Sequence, residues 1–102
     1  MVIMKTSDLF THTLVTFDIS DNKNRTKLGE ALKDLGMFRI QESVFYGRLN
    51  KAERTEANDL LRTYCSSDDK GILIPNINHE IVSKFLVGYD SEIFEFKQVE
   101  IE

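Results

Sequence analysis

The chain of 102 residues suits one domain, which at this size takes roughly 65% of the extended chain's surface out of water. With 41% hydrophobic and 29% charged residues and no run near the roughly 20 apolar residues of a membrane span, disordered and membrane-embedded classes are excluded. The net charge of −4 argues by itself against nucleic acid, but residues 23–62 carry nine Lys or Arg against six Asp or Glu, while residues 63–102 carry three against eight. A basic middle can therefore meet an anionic ligand despite the acidic total, with an unevenly charged solvated surface as the simpler explanation.

Residues 13–19, Thr-Leu-Val-Thr-Phe-Asp-Ile, are β-branched and aromatic and predict a strand buried on both sides. Its parity sets Val15, Phe17 and Ile19 on one face and Leu14, Thr16 and Asp18 on the other. Polar Ser20–Asn24 then supplies turn and capping chemistry. Leu28, Ala31, Leu32 and Leu35 recur at helical spacing, and Gly36 ends that helix. Residues 37–49 read as two short strands broken near Glu42–Ser43, or as one long bent strand. Asn50 with Glu53 has the spacing of a capping box, and Ala57, Leu60, Leu61 and Tyr64 form the stripe of a second helix. Ile72–Pro75 is a short strand.

The order β-α-β-β-α-β predicts an α+β, ferredoxin-like sandwich with both helices on one sheet face. The core spans about 13–76, within a single domain 1–102. Ile81–Val87 and Ile93–Ile101 look like further strand material, a C-terminal extension over 77–102 that adds to a sheet edge. A sheet face left bare by the helices needs cover, and a homodimer is the simplest one.

Asp18, at the end of the first strand, is the leading candidate for chemistry. Its carboxylate is a hard oxygen ligand for Mg²⁺ or Mn²⁺, and a two-fold axis nearby would bring a second copy to the same ion. An Asx turn, with Ser20 or Asp21 capping the helix, is the competing explanation. Arg39 and Arg48 lie on strands, where a solvated edge also accounts for them, and Phe45 reads as core more readily than as a base-stacking platform. His12 and His79 lack a second ligand at metal spacing and read as structural or surface residues. The single cysteine, Cys65, ends an apolar stripe and reads as a buried thiol; it permits no internal disulfide. With no secretory signal at the N-terminus, an intracellular, cytoplasmic protein is expected.

The segments Leu14–Gly36 and Arg39–Leu49 together resemble the small CRISPR-associated Cas-two proteins. The matching pattern is Phe17-Asp18-Ile19, then Arg25, then Arg39-Ile40-Gln41, Ser43-Val44-Phe45, Gly47 and Leu49, and the likeness covers about residues 13–89. It implies a homodimer in which two copies of Asp18 share a divalent metal, Mg²⁺ or Mn²⁺. It further implies a metal-dependent endonuclease acting on single-stranded RNA or duplex DNA and taking part in spacer acquisition with the Cas-one integrase. The alternative is a non-catalytic DNA-binding scaffold of that complex. Arg25, Arg39 and Phe45 match positions of the family's active-site cleft. Arg25, Lys27, Arg39 and Arg48 are the expected nucleic-acid contacts. Lys27 stands where a second Arg is common, which weakens bidentate phosphate contact there. About twelve residues precede a first strand that in the family begins near the N-terminus, and the acidic tail is not part of the motif.

Overall fold

The computed structural model of the protein describes residues 10–89. Its elements are β1 (Thr11–Asp18), α1 (Asn22–Asp34), β2 (Phe38–Gln41), β3 (Val44–Leu49), α2 (Lys51–Tyr64), β4 (Lys70–Ile74) and a four-residue α3 (His79–Val82), followed by a 3₁₀ turn at Ser83–Phe85. The sheet order is β2-β3-β1-β4, and every neighbouring pair is antiparallel. This is the expected α+β, ferredoxin-like βαββαβ arrangement.

Each helix forms where its ends are satisfied as well as where its apolar stripe lies. At the start of α1 the Asp21 carboxylate accepts from the Lys23 N–H at 2.9 Å. At its end Gly36, at φ +95°, lets its own N–H reach the Lys33 carbonyl and the Met37 N–H reach that of Leu32, a Schellman motif. At α2 the capping box is complete, with Asn50 and Glu53 exchanging side chain-to-backbone bonds of 2.8 Å. Leu28 and Leu32 of α1 and Ala57 and Leu61 of α2 pack on Val15, Phe17, Phe45 and Leu49 of the sheet.

The two strands expected within 37–49 are separate: a tight turn at Glu42–Ser43 joins β2 and β3, and their register slips between Arg39 and Gln41. That bulge moves the chain from one sheet face to the other. Arg39 is paired with Phe45 on the helix side, whereas Gln41 is paired with Val44 on the open side. Gly47 lets β3 pass beneath the α1–β2 connection, since a Cβ there would stand 3.1 Å from Met37 Cα.

The expectation of a strand at Ile81–Val87 is not met. Asn78 caps a short helix, its Oδ1 accepting from the N–H groups of Glu80 and Ile81, both at 3.1 Å. The Ile93–Ile101 segment lies outside the described residues. No helix among the described residues is long and apolar enough to cross a membrane.

The segment after β4 lies over the sheet face opposite α1 and α2. The Ile77 N–H donates to the His12 carbonyl at 2.9 Å, and the His79 ring stacks on that of His12 with centroids 4.0 Å apart. Tyr46, on this face and hydrogen bonded to His12 Nδ1, is fully buried, and Gln41 is hydrogen bonded to the Tyr89 hydroxyl. Ile72, Phe38 and Ile74 nevertheless remain substantially exposed, as do Phe85 and Val87.

Candidate functional site

The two faces of the sheet end in different surroundings at the point where β1 stops. Burial alternates along β1, with Thr13, Val15 and Phe17 inside, so Asp18 is exposed on the open face, as its parity predicts. Its register partner on β4 is Lys70. Thr16, Asp18, Lys70 and Ile72 line a shallow concavity there. A carboxylate and an ammonium thus stand side by side at the mouth of an apolar surface.

On the helix side, Arg25, Asn22 and Glu30 of α1 face Arg39, Glu42 and Phe45 across a small cleft. The Arg39 guanidinium carbon lies 6.0 Å from the Phe45 ring centroid, a cation–π distance. Gly29 of α1 lies against that ring, where a Cβ would make ordinary van der Waals contact with Phe45 Cζ at 3.4 Å. Arg25 is turned inward on its own loop. Nη1 donates to the carbonyls of Ile19 at 2.6 Å and Ser20 at 3.3 Å, and Nη2 donates to Asn22 Oδ1 at 2.8 Å. Its charge stays in the cleft while these N–H groups brace the β1–α1 connection.

Arg25, Arg39 and Phe45 therefore come together, and Asp18 lies on the other face of the same strand end. Phe17 borders both depressions, whereas Asp18, next to it along β1, borders only the one on the open face. Lys27 is exposed on α1 and lines neither. Arg48 pairs with His12, six residues along β1 from Asp18 and so roughly 20 Å away. Its charge acts instead on the His12–Tyr46 pair. Burial, the facing His79 and Arg48 together hold the His12 ring down at about 4, and burial pushes the Tyr46 hydroxyl up.

Asp69 was not singled out in the sequence, yet it links two loops. Its Oδ1 accepts from the Ser20 N–H at 3.2 Å and the Ser20 hydroxyl at 3.1 Å, and its Oδ2 accepts from the Ser66 N–H at 2.8 Å. These bonds, those from the Ser66 and Ser20 backbone foremost, hold its carboxyl below the usual range. The Ser66-to-Asp69 spacing is a local turn signal, but nothing in the sequence ties either residue to Ser20. Arg54 has a similar bracing role at the far end of β1, donating to Thr11 Oγ1 and the Leu49 carbonyl, both at 2.9 Å.

The profile of the family described as CRISPR associated protein Cas2 matches residues 11–84. The chain belongs to the Cas2 family. It is 34% identical over 82 residues to the CRISPR-associated endoribonuclease Cas2 1 of Francisella tularensis subsp. novicida, a match covering 79% of this chain and 84% of that protein. It is 49% identical over 49 residues to the CRISPR-associated endoribonuclease Cas2 of Korarchaeum cryptofilum, covering 48% and 53%. With the protein of that name from Desulforudis audaxviator the identity is 37% over 62 residues, covering 61% and 58%. The chain thus spans little more than half the length of the Korarchaeum and Desulforudis proteins. All the site residues taken from the resemblance lie inside the matched 11–84 segment.

The donor chemistry can be compared with the ion that the resemblance implies. Mg²⁺ favours hard oxygen, is held through one or two carboxylates and keeps several waters. Asp18 fits that pattern, being an exposed carboxylate beside an open concavity. Among the described residues no group of three or more His, Cys, Asp or Glu is placed to hold a metal.

Proposed function

We propose that this Cas2 family member is a metal-dependent endoribonuclease that works as a homodimer, with Asp18 of each copy holding a shared Mg²⁺ or Mn²⁺. The observation that carries this reading is the exposed carboxylate at the end of a central strand, flanked by Lys70 on one face and by the Arg25–Arg39 cleft on the other. The endoribonuclease names of the relatives favour RNA as the substrate.

In this reading Asp18 supplies the anionic ligand. An ion held there would supply Lewis-acid polarisation of a phosphodiester and a lower pKa for a water. Arg39 is held against the Phe45 face, so its guanidinium meets the phosphate already oriented, which favours the charge that develops on it. Arg25 adds positive charge while keeping the Ile19 and Ser20 carbonyls in place. Lys70 offers a second phosphate contact beside Asp18, and contacts of this kind carry affinity without base preference.

A second reading is a non-catalytic scaffold that binds duplex DNA and engages the Cas-one integrase during spacer acquisition. It is favoured by the loop carbonyls that already occupy Arg25. Asp18→Asn separates the two. It removes the charge and keeps the side-chain size. In the first reading it abolishes cleavage of a single-stranded RNA in Mg²⁺ while leaving the melting temperature without Mg²⁺ unchanged or higher. Full cleavage by Asp18→Asn would overturn the catalytic assignment. A wild-type protein that binds duplex DNA and cleaves nothing would establish the scaffold.

A further inference from the structure

The end of β1 is tied down from both sides by charged side chains, Asp69 on one side and the cleft residue Arg25 on the other. Ser20 follows Asp18 by two residues, and Lys70, which follows Asp69, is the register partner of Asp18. The Asp69 carboxylate therefore joins the two chain segments that flank Asp18, through its bonds to the Ser20 N–H and hydroxyl. Its other oxygen and its own N–H close the turn on Ser66, the latter donating to the Ser66 carbonyl at 3.0 Å. From the opposite side Arg25 holds the carbonyls of Ile19 and Ser20. Every hydrogen-bonding group of Ser20 is thus engaged by one of two ionised side chains.

Such ties matter at this point because a strand end is where pairing stops. The next bond of β1 toward β3 is already a turn contact, from the Phe17 N–H to the Ser43 carbonyl at 3.1 Å. Asp18 pairs with the first residue of β4, so the ladder does not hold it from beyond. Hydrogen bonds in which one partner is ionised are stronger than neutral ones, and three of them, at 3.1–3.3 Å, converge on the residue that sets the direction of the chain after Asp18.

We propose that Asp69 is a positioning residue for Asp18: acting through Ser20, it holds the end of β1 so that the Asp18 carboxylate faces the open side beside Lys70. The proposal rests on the reading of Asp18 as the catalytic metal ligand. Asp69 lines neither depression and contributes no ligand, so its effect is on geometry alone. Small displacements of a reacting group lower turnover much more than they lower substrate binding. The signature is therefore a fall in kcat with little change in KM.

The test compares wild type, Asp69→Ala, Asp69→Asn, Ser20→Ala and the Asp69→Ala/Ser20→Ala double variant. Three readouts apply: cleavage of a single-stranded RNA, Mn²⁺ binding by electron paramagnetic resonance, and hydrogen exchange at Ile19–Asp21. Asp69→Ala is expected to lower kcat roughly ten-fold with KM changed less than about two-fold, and to speed exchange of the Ser20 amide. Asp69→Asn keeps a carbonyl acceptor for one of the two loops and is expected to fall between. The double variant is expected to be no worse than Asp69→Ala alone, because both remove the same link. Unchanged kcat in Asp69→Ala, or additive losses in the double variant, would overturn the proposal. If Asp69→Ala fails to fold, Asp69→Asn and Ser20→Ala decide it by the same criteria. A wild-type protein that cleaves no RNA sinks the nuclease reading. Ser20 exchange and Mn²⁺ affinity then decide the clasp: both altered in Asp69→Ala carries it, and both unchanged overturns it.

Discussion

Arg39 shows how a single side chain acquires a role from its neighbours. It is exposed, and by sequence it is one of nine basic residues in the middle of the chain. Its pairing with Phe45 and the ring beneath its guanidinium turn it toward the cleft and distinguish it from Lys27, which projects from α1. Its removal should therefore be felt in nucleic-acid binding beyond the loss of one charge. Arg39→Ala is expected to weaken single-stranded RNA binding and to flatten the slope of log affinity against log salt by roughly 0.7, the loss of one phosphate contact. Lys27→Ala is the control, with a smaller change expected. Titration at several ionic strengths measures both, and equal slopes for the two variants would remove Arg39 from the contact surface.

At the scale of elements, end chemistry decides where the chain turns. Gly36 is the clearest case, because its φ of +95° lies in the left-handed region and a Cβ there would meet nothing within 4 Å. The cost of a side chain is then conformational and not steric. Gly36→Ala is expected to lower stability by about 1–2 kcal/mol, the strain of a left-handed non-glycine residue. Urea denaturation should show a lower midpoint with an unchanged slope. No loss of stability would mean that α1 can end without the Schellman bonds of Gly36 and Met37. The same kind of signal, Asn78 ahead of Glu80 and Ile81, makes α3 helical even though its β-branched residues suggest a strand.

On the scale of the whole molecule, the segment after β4 gives the sheet a partial second layer, with His79 stacked on His12 and Tyr46 buried beneath. His12 faces Tyr46 and Arg48 of β3 and His79 of α3, and burial, together with His79 and Arg48, holds it down at about 4 against an ordinary value of 6.5. Between those two values an unfolded chain binds a proton that the folded one does not. Stability must therefore rise with pH through that window and fall again on acidification. Asp69, whose carboxyl lies below 3.8 when folded, adds a loss of the same sign only at lower pH. The urea midpoint is expected to drop between pH 7 and pH 4.5 in wild type, and to drop less in His12→Gln. Identical pH dependence in the two proteins would assign the effect to other groups.

The sequence alone determined the βαββαβ order of the core, the parity that sets Asp18 opposite Val15 and Phe17, the glycine end of α1, the capping box of α2 and the family. Each of these depends on residues close together in the chain: a period of two along Leu14–Asp18, a period of 3.6 along Leu28–Leu35, and Asn50 set three residues before Glu53. What only the tertiary structure decided is which distant residues meet. The bulge at Arg39–Gln41 places Arg39 on the helix side and Gln41 on the open side, so the cleft and the Asp18 concavity are separate depressions at one strand end. The Arg25 bonds to the Ile19 and Ser20 carbonyls, the Asp69 link across 49 residues to Ser20, and the His12–His79 stack arise in the same way. Periodicity and capping are written in neighbouring residues, whereas side-chain hydrogen bonds between loops depend on the sheet register that first brings those loops within reach.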